Sequence, residues 1–340
     1  YPVVISKFMQ DAKEVEVDGV SDGEEVFIGA IIEHIEKAGV HSGDATMCIP
    51  PQTLSTKILK TIEDYTNKIA KALQIRGPFN IQYLVKNGTV YVIECNLRAS
   101  RSMPFVSKTI GVNLMDLATI AMLGGKFRDY GIYQPKLIQH VGVKVPQFSF
   151  MRLSGADPVL GVEMLSTGEV ACLGENLADA LMKALQSAEF KVPPLGGSVL
   201  ITVGDEEMKR KIIPLARDLW KLGFKIYATE HTAEALRRAG ISDVTMLHKV
   251  SEPDKNPNIL QYLLQRKIDL VINIPVTNSA KYLDVMEDEY LIRRLAVEFN
   301  IPVVTTFELA SALVKVLKYS KNGRLIIRSL NEYSISEAWS

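Results

Sequence analysis

The stretch 80–108 carries the side chains best suited to chemistry in this sequence. Two runs of β-branched and aromatic residues, 81–85 and 90–93, flank Asn87-Gly88, a dipeptide typical of a tight β-hairpin turn. Carboxylate and amide oxygens suit a hard divalent cation, and guanidinium groups match phosphate oxygens in pairs. The end of the hairpin far from the turn therefore has the groups to hold a metal ion carrying phosphate. These groups are Asn80, Gln82, Glu94, Asn96, Arg98 and Arg101.

The loop length of the hairpin decides whether these groups can meet. A strict two-residue turn sends Gln82 and Glu94 to opposite faces of the sheet. A three-residue loop, 86–88, with a bulge shifts the register by one, and then Gln82, Glu94 and Asn96 share a face. We therefore predict the three-residue loop. The spacing alone is equally compatible with an ordinary hairpin whose polar end is solvated.

Composition limits the class of protein. The 340 residues are 47% hydrophobic, and 39 Lys+Arg balance 39 Asp+Glu, so the sequence predicts two or three domains and gives no reason to expect nucleic acid or an anionic membrane as partner. Cys48, Cys95 and Cys172 form no CxxC pair, which indicates reduced thiols in an intracellular protein. No apolar run has the length of a membrane span. The first residue is Tyr1, so the sequence is compatible with a targeting segment upstream.

Hydrophobic periodicity predicts the elements that carry the hairpin. Gly39 and Gly43 bracket a short run with His41 and Ser42, which predicts a loop whose backbone comes close to another group. A lone histidine in such a loop is more often structural or exposed than a ligand. We predict strands at 3–9, 14–18 and 26–37, with acids on one side of the second, and helices at 53–73 and 113–122.

A change of pattern follows the linker 193–197, Pro-Pro-Leu-Gly-Gly. Strands then alternate with helices from Ser198 to the last predicted helix, which predicts a parallel sheet covered on both faces. Such sheets bind ligands at the carboxyl ends of their strands, where hydroxyls and amides beside helix N-termini suit an anion. Helix-capping residues look the same in sequence. The residues at those ends are Thr229, Glu230, His231, Thr232, His248, Lys249 and Asn273.

With these elements in place the chain resembles the carboxy-terminal part of the large synthetase component of carbamoyl-phosphate synthetase. Four segments carry the resemblance, which covers essentially the whole chain: EHIEKAGVHSGDA (33–45), the run from RGPFNIQYLVKNG to SKTIGVN (76–113), the run from KVPQFSF to ACLGE (144–175), and YLIRRLAVEF (290–299). It implies an α/β and α+β fold: residues 1–125 as the second half of an ATP-grasp unit, 126–194 as a connecting segment that completes the synthetase unit, and 195–340 as a methylglyoxal-synthase-like regulatory domain.

The resemblance also implies an activity, the phosphorylation of carbamate by ATP with Mg²⁺ or Mn²⁺ to give carbamoyl phosphate. Carried over residue by residue, it implies Gln82, Glu94 and Asn96 as metal ligands, Arg98 and Arg101 as the arginines at the phosphates, and Glu14, Val40, His41 and Ser42, with Gln82 and Glu94, at the nucleotide. The family has a glycine-rich loop and a first synthetase unit upstream, so we expect this chain to be a fragment that makes no carbamoyl phosphate alone. The expected partners are that N-terminal portion and an amidotransferase or ammonia source.

For the last domain the resemblance implies a small-molecule effector site. The matching residues are Lys209, Thr229, Thr232, His248 and Asn273. The segments YATEHT and DLVINIP are similar to the animal, N-acetylglutamate-dependent type. The chain departs from that type, because His248 stands where it has a tryptophan and Val276-Thr277-Asn278 keeps only part of its asparagines, while the lysine of the bacterial, nucleotide-regulated type is displaced to Lys249. Both N-acetylglutamate and a nucleotide remain candidate effectors.

Two further questions stay open at this level. The first is function: the chain is either part of a catalytic ATP site or only an effector-binding regulatory module. A biotin carboxylase would share the glutamate and asparagine of the hairpin, but it gives no account of the terminal βα domain. The second is compartment, which we expect to be the mitochondrial matrix for the animal ammonia type and the cytoplasm otherwise. The nitrogen source, glutamine or ammonia, lies outside these residues.

Overall fold

The computed structural model describes residues 2–3, 5, 7–132, 134–135, 137–275, 283–322 and 325–333, with the backbone alone for 283–286 and 322. The chain forms two compact units. The first comprises Tyr1–Val145, Val170–Ala184 and Ile326–Ser340, and the second comprises Pro146–Glu169 and Leu185–Leu325. The residues Val276, Thr277 and Asn278, which entered the effector comparison above, lie outside the described residues.

The first unit is built on a seven-stranded sheet with the strand order β5-β4-β1-β2-β3-β6-β7. The pairs from β5 to β6 in this order are antiparallel. The strands are β1 (Lys13–Asp22), β2 (Val26–Lys37), β3 (Met47–Ile49), β4 (Arg76–Lys86), β5 (Thr89–Asn96), β6 (Val141–Gln147) and β7 (Gly168–Gly174).

Helices cover parts of both faces of this sheet, and alternation along β1 decides which residues they meet. Val15 and Val17 point to one face, where they pack with Ile62 of α1. On the other face Ile32 packs with Leu114 of α3 in a second cluster. The acids of β1 also lie on this second face. The helices are α1 (Thr56–Ala72), α2 (Met103–Ile110), α3 (Leu114–Met122) and α4 (Leu177–Ser187), with a 3₁₀ turn at Phe127–Tyr130.

The second unit has the predicted parallel sheet, with the strand order β10-β9-β8-β11-β12. Its strands are fully buried where β8 and β11 pair, as expected for a sheet covered on both faces. The elements are β8 (Ser198–Val203), α5 (Glu206–Lys221), β9 (Lys225–Ala228), α6 (Glu230–Arg238), β10 (Val244–Met246), α7 (Ile259–Leu264), β11 (Leu270–Ile274), α8 (Leu283–Glu298), β12 (Val303–Val304) and α9 (Phe307–Asn322), with 3₁₀ turns at Phe150–Arg152 and, in the first unit, Leu330–Glu332.

The helix boundaries follow the predicted signals closely. Ser55 caps α1 by accepting a hydrogen bond from the Ile58 amide at 3.4 Å, and Asn113 caps α3 through the Met115 amide at 3.1 Å. Gly124, with a φ of +90°, follows the end of α3 in the left-handed conformation typical of a glycine C-cap. Among the described residues no single helix has the length and hydropathy of a membrane span. The helix pair that passes such a test only when joined, α2 with α3, is bent by 111° at its break.

The predicted strand at 3–9 is wrong. The described residues of this run form no strand, and Val3, Ile5 and Phe8 are 79%, 90% and 68% exposed. No strand within the described ranges pairs with this run, so its apolar side chains have no sheet surface to pack on.

Candidate active site

The turn of the hairpin has two residues, so the predicted three-residue loop is wrong. Lys86 pairs directly with Thr89, and Asn87 and Gly88 have φ values of +51° and +77°. Positive φ at both central residues is the type I′ turn, whose twist matches that of the flanking strands. Asparagine tolerates this conformation and glycine adopts it without steric cost, which is why this dipeptide closes the hairpin with no extra residue.

The predicted metal site requires a shift of register by one residue, and this shift occurs farther along the hairpin. Tyr83 pairs with Val92 and Gln82 pairs with Glu94, so Ile93 is an extra residue on β5. A bulge at this point moves everything beyond it by one position. Gln82, Glu94 and Asn96 therefore share a face, as predicted, although the bulge lies in the strand and not at the turn.

This face continues across neighbouring strands. Gln82 pairs with Glu16 of β1 on its other side, and Asn80 pairs with both Asp18 and Asn96. Alternation adds Glu14, and the His34 side chain of β2 lies against Glu16. We call this set the polar face: it consists of Glu14, Glu16, Asp18, His34, Asn80, Gln82, Glu94 and Asn96.

The outer part of the polar face fits a hard divalent cation. Glu94 is exposed and Gln82 and Asn96 are half-buried, so their oxygens are open to a ligand. The Asn96 Nδ2 atom donates a hydrogen bond to Glu94 Oε1 at 2.8 Å, which leaves the Asn96 carbonyl oxygen and the second Glu94 oxygen as acceptors. A carboxylate with two amide carbonyls is an all-oxygen donor set, the chemistry that Mg²⁺ and Mn²⁺ prefer.

The inner part of the polar face concentrates buried acids. Burial raises the pKa of Glu14, the nearby Glu16 and Glu94 raise it further, and His34 opposes the shift. Burial also acts to raise the pKa of Glu16, but the His34 contact, with His34 Nε2 3.2 Å from Glu16 Oε1, and a hydrogen bond from Asn80 outweigh it and lower this pKa. One ligand atom from each of Glu14, Glu16 and His34 lies within 4.8 Å of the others. The accumulated negative charge favours a cation on this face.

The two predicted arginines lie in the loop between β5 and α2. Both are exposed, and the Arg98 Nη1 atom donates a hydrogen bond to the Ala99 carbonyl oxygen at 3.2 Å. Arg98 is two residues beyond Asn96, the last residue of β5. The loop therefore begins where the candidate metal ligands end.

The predicted nucleotide loop, with Val40, His41 and Ser42, follows β2, and its residues are half-buried. The His41 Nδ1 atom accepts a hydrogen bond from the Gly43 amide at 3.0 Å, so this histidine shapes its own loop. The buried Lys144 of β6 donates to the Ser42 and Gly43 carbonyl oxygens at 3.2 and 3.4 Å. Sequence reasoning missed Lys144, because its partners are main-chain carbonyls about 100 residues away, which leave no side-chain signal.

The second unit has a cavity of about 1,080 Å³ at the carboxyl ends of β8, β9 and β10. Four of the predicted effector residues line it: Lys209, Thr229, Thr232 and His248. The Thr229 hydroxyl points to Thr232 at 3.5 Å and makes no capping hydrogen bond to α6, so the capping alternative has no support at this residue. Lys209 Nζ lies 2.6 Å from Glu206 Oε1, and His248 Nδ1 lies 3.7 Å from Glu252 Oε2.

Asn273, the fifth predicted effector residue, does not line this cavity. Its side chain is fully buried, with Nδ2 donating to the Thr202 hydroxyl at 2.6 Å and Oδ1 accepting from Arg293 Nη1 at 2.7 Å. Arg293 in turn binds both carboxylate oxygens of Asp157, at 2.7 and 2.6 Å. The cavity lining does include Thr202, so Asn273 lies one layer behind the surface that a ligand would touch.

Known protein families match two separate parts of the chain. Residues 2–128 match the family described as "Carbamoyl-phosphate synthase L chain, ATP binding domain", and residues 211–305 match the "MGS-like domain". A relative from Methanocaldococcus jannaschii, "Carbamoyl phosphate synthase large chain, C-terminal section", is 46% identical over 98% of this chain and 54% of its own length. The chain thus spans about half the length of this relative.

Two other proteins match over smaller shares of this chain and of their own length. "Multifunctional protein pyr-3" of Neurospora crassa is 45% identical over 93% of this chain and 17% of its own length. A solved structure, "Biotin Carboxylase domain of single-chain bacterial carboxylase", is 15% identical with a TM-score of 0.44 over 53% of this chain and 48% of that one. These curated relatives are archaeal and fungal, so the resemblance to the animal, N-acetylglutamate-dependent type is not confirmed.

Proposed function

We propose that the first unit forms one wall of an ATP site at which carbamate is phosphorylated, because the chain is similar to about half of a relative described as the C-terminal section of a carbamoyl phosphate synthase large chain. The observation that carries this proposal is the pairing of Gln82 with Glu94 across the bulged hairpin. That register puts an all-oxygen ligand set beside the loop with Arg98 and Arg101. The remaining part of the synthetase and an amidotransferase or ammonia source are the proposed partners.

In the proposed reaction a carbamate oxygen attacks the γ-phosphorus of ATP, the bond to the β-phosphate oxygen breaks, and ADP leaves. Such a transfer requires mostly positioning and neutralisation of charge. Gln82, Glu94 and Asn96 would hold Mg²⁺ or Mn²⁺, which when bound neutralises charge on the phosphate oxygens. The guanidinium groups of Arg98 and Arg101 would bind phosphate oxygens in a fork, and their charge would stabilise the transferring group.

The nucleotide itself would contact Glu14 and the loop at Val40, His41 and Ser42. The hydrogen bonds from Lys144 support this proposal, because they hold the carbonyl groups of Ser42 and Gly43 in place. A pre-formed loop loses little conformational entropy when a ligand binds.

The metal part of the proposal is tested by Glu94→Gln, which keeps the size of the side chain and one oxygen but removes the charge. In the synthetase that contains this chain, we expect the dissociation constant of Mn²⁺ in the presence of ATP to rise about tenfold or more. The free Mn²⁺ signal in electron paramagnetic resonance measures it. The matched control is Glu63→Gln, at an exposed position of α1. Equal Mn²⁺ affinity in wild type and Glu94→Gln would refute the proposed ligand.

A second function, binding of an allosteric effector by the second unit, is favoured by the cavity lined by Lys209, Thr229 and Thr232. We propose that it takes a small anionic molecule, since an ammonium group and two hydroxyls beside a helix N-terminus suit a carboxylate or phosphate. N-acetylglutamate and uridine nucleotides are the two candidates, and the second would place this chain with the nucleotide-regulated type.

Calorimetry of the chain with each candidate decides between them. We expect one of the two to bind, and Lys209→Gln to weaken its binding about tenfold, because the substitution removes the ammonium charge. Lys221→Gln, at the last residue of α5, is the matched control. An anionic effector in this cavity would be contradicted if Lys209→Gln bound the compound as tightly as the wild type. It would also be contradicted if neither compound gave a heat of binding.

We also propose an intracellular location, in the mitochondrial matrix if the animal ammonia type applies and in the cytoplasm otherwise. The support is the state of two thiols: Cys48 is buried and Cys95 is half-buried, both as free cysteines. Fractionation of cells followed by immunodetection of the chain tests the location, and detection only in the secreted fraction would contradict it.

A further inference from the structure

Asp18 is the innermost acid of the polar face and belongs to none of the ligand sets above. Its side chain is fully buried, and it lies on β1 opposite Asn80 of β4. A carboxylate removed from water is costly unless hydrogen bonds replace its hydration, so its partners indicate what it is there to hold.

Three side-chain donors converge on this carboxylate. Asp18 Oδ1 accepts hydrogen bonds from the Ser100 hydroxyl at 2.6 Å and from Asn80 Nδ2 at 2.9 Å. Asp18 Oδ2 accepts one from the Ser102 hydroxyl at 2.6 Å. Both serines belong to the loop between β5 and α2, more than 80 residues away in sequence. Asp18 therefore anchors this loop to strand β1.

The Ser102 hydroxyl binds Asp18 in place of the capping hydrogen bond that it could make to α2. Ser102 is the N-cap residue of α2, yet its side chain makes no capping hydrogen bond to the helix. A serine at this position usually bonds a free amide of the first turn and so stabilises the helix. Here the hydroxyl goes to Asp18, and the Ser100 oxygen accepts from the Met103 amide at 3.1 Å instead.

Arg101 lies between the two tied serines. Its neighbours on both sides are fixed to the same carboxylate, so the backbone at Arg101 has little freedom to move. Transfer of a phosphoryl group is sensitive to errors of about 1 Å in the position of a charge-stabilising group. A loop that carries such an arginine thus benefits from a rigid anchor.

We propose that Asp18, through Ser100 and Ser102, is the positioning residue for the arginine loop, an inference that rests on the proposed role of Arg101 at the phosphates. Asp18 does not touch the substrate. It holds the loop in the conformation in which the Arg101 guanidinium reaches the transferring phosphate. Through Ser102 it also fixes the position at which α2 begins.

A double-mutant cycle in the complete synthetase tests this inference. The rate of ATP formation from ADP and carbamoyl phosphate is measured for wild type, the pair Ser100→Ala with Ser102→Ala, Arg101→Lys, and the triple variant. If the serines act through Arg101, the pair lowers kcat about tenfold with little change in the KM for ADP, and causes almost no further loss in the Arg101→Lys background. An equal loss in both backgrounds would overturn the inference.

Conservative and remote variants separate positioning from stability. Ser100→Thr keeps the hydroxyl and is expected to retain kcat, whereas Ser100→Ala does not. Ser55→Ala removes the cap of α1 and is expected to lower the thermal midpoint while leaving kcat unchanged. If the paired serine variant keeps full kcat while Arg101→Lys loses it, the positioning role fails and the proposed function stands. If Arg101→Lys keeps full kcat, the proposed function fails and the inference fails with it.

Discussion

At the scale of single residues, acids that alternate along one strand differ in their ionisation. Burial raises the pKa of Asp18 to about 6, although hydrogen bonds from Ser100, Ser102 and Asn80 oppose the shift. Two residues before it on the same strand, the His34 contact and the Asn80 hydrogen bond outweigh burial and hold the pKa of Glu16 below its ordinary value. The strand pattern alone cannot give this difference, because it depends on partners from other strands.

The raised pKa of Asp18 predicts how stability depends on pH. Between about pH 4 and pH 6 the folded chain binds a proton at Asp18 that the unfolded chain has already lost. The contribution of this group to the free energy of unfolding is therefore largest below about pH 4, and it falls by about 3 kcal/mol as the pH rises to 6 and above. Asp18→Asn removes this dependence.

Urea unfolding of wild type and Asp18→Asn between pH 4 and 7.5 measures the effect. The quantity of interest is the free energy of unfolding of the wild type minus that of the variant, in which the other titrating groups cancel. We expect this difference to fall as the pH rises. A difference that is constant, or that grows with pH, would show that the pKa of Asp18 is not raised in the folded chain.

Sequence reasoning reached the outer residues of the site better than the inner ones. Gln82, Glu94 and Asn96 could be grouped because strand alternation and a hairpin register are local properties. The contact of Asp18 with Ser100 and Ser102 could not, since it joins segments more than 80 residues apart. A visible signal was nevertheless present: the acids of β1 alternate on one side, and two serines flank Arg101.

At the scale of elements, the hairpin shows where pattern reasoning reaches its limit. The need for one extra residue could be derived from the requirement that Gln82 and Glu94 share a face. Its position could not, because Asn87-Gly88 already closes a tight turn and every later position on β5 could accept the bulge. The structure has it at Ile93, which is 47% exposed, so no core packing opposes an unpaired residue there.

Deletion of Val92 together with Ile93 tests the role of the register. With the extra residue and one paired residue removed, Glu94 would lie opposite Tyr83, so Glu94 and Asn96 would turn to the other face. We expect the affinity for Mn²⁺ with ATP to fall about tenfold or more while the strand content in circular dichroism is retained. Deletion of Ile93 alone leaves Glu94 opposite Gln82 and is expected to keep the affinity.

Gly88→Ala is the matched control within the same hairpin. Its Cβ would meet nothing within 4 Å, but the φ of +77° is unfavourable for alanine, so we expect a loss of about 1 kcal/mol in stability. Mn²⁺ affinity should remain that of the wild type. Full affinity in the variant that lacks both Val92 and Ile93 would show that the register does not set the ligand geometry.

At the scale of the whole molecule, the two units were predictable to different degrees. The second unit follows a strict alternation of strands and helices, and its parallel sheet was correctly predicted. In the first unit the run 3–9 has the pattern of a strand, but its described residues form none and Val3, Ile5 and Phe8 are exposed. A strand needs a partner, and sequence does not say whether one exists. Periodicity identifies segments able to pair, whereas pairing itself is a property of the folded chain.

In the proposed function, the bulged hairpin and its arginine loop bind the phosphates at an ATP site. The most direct measurement is the turnover of Arg101→Lys in the intact synthetase, as ATP formed from ADP and carbamoyl phosphate. Lysine keeps the charge but cannot reproduce the bidentate fork, so we predict a loss of about 100-fold in kcat, with the exposed Arg238→Lys unchanged. Equal turnover in wild type and Arg101→Lys would contradict the proposed role of this arginine at the phosphates.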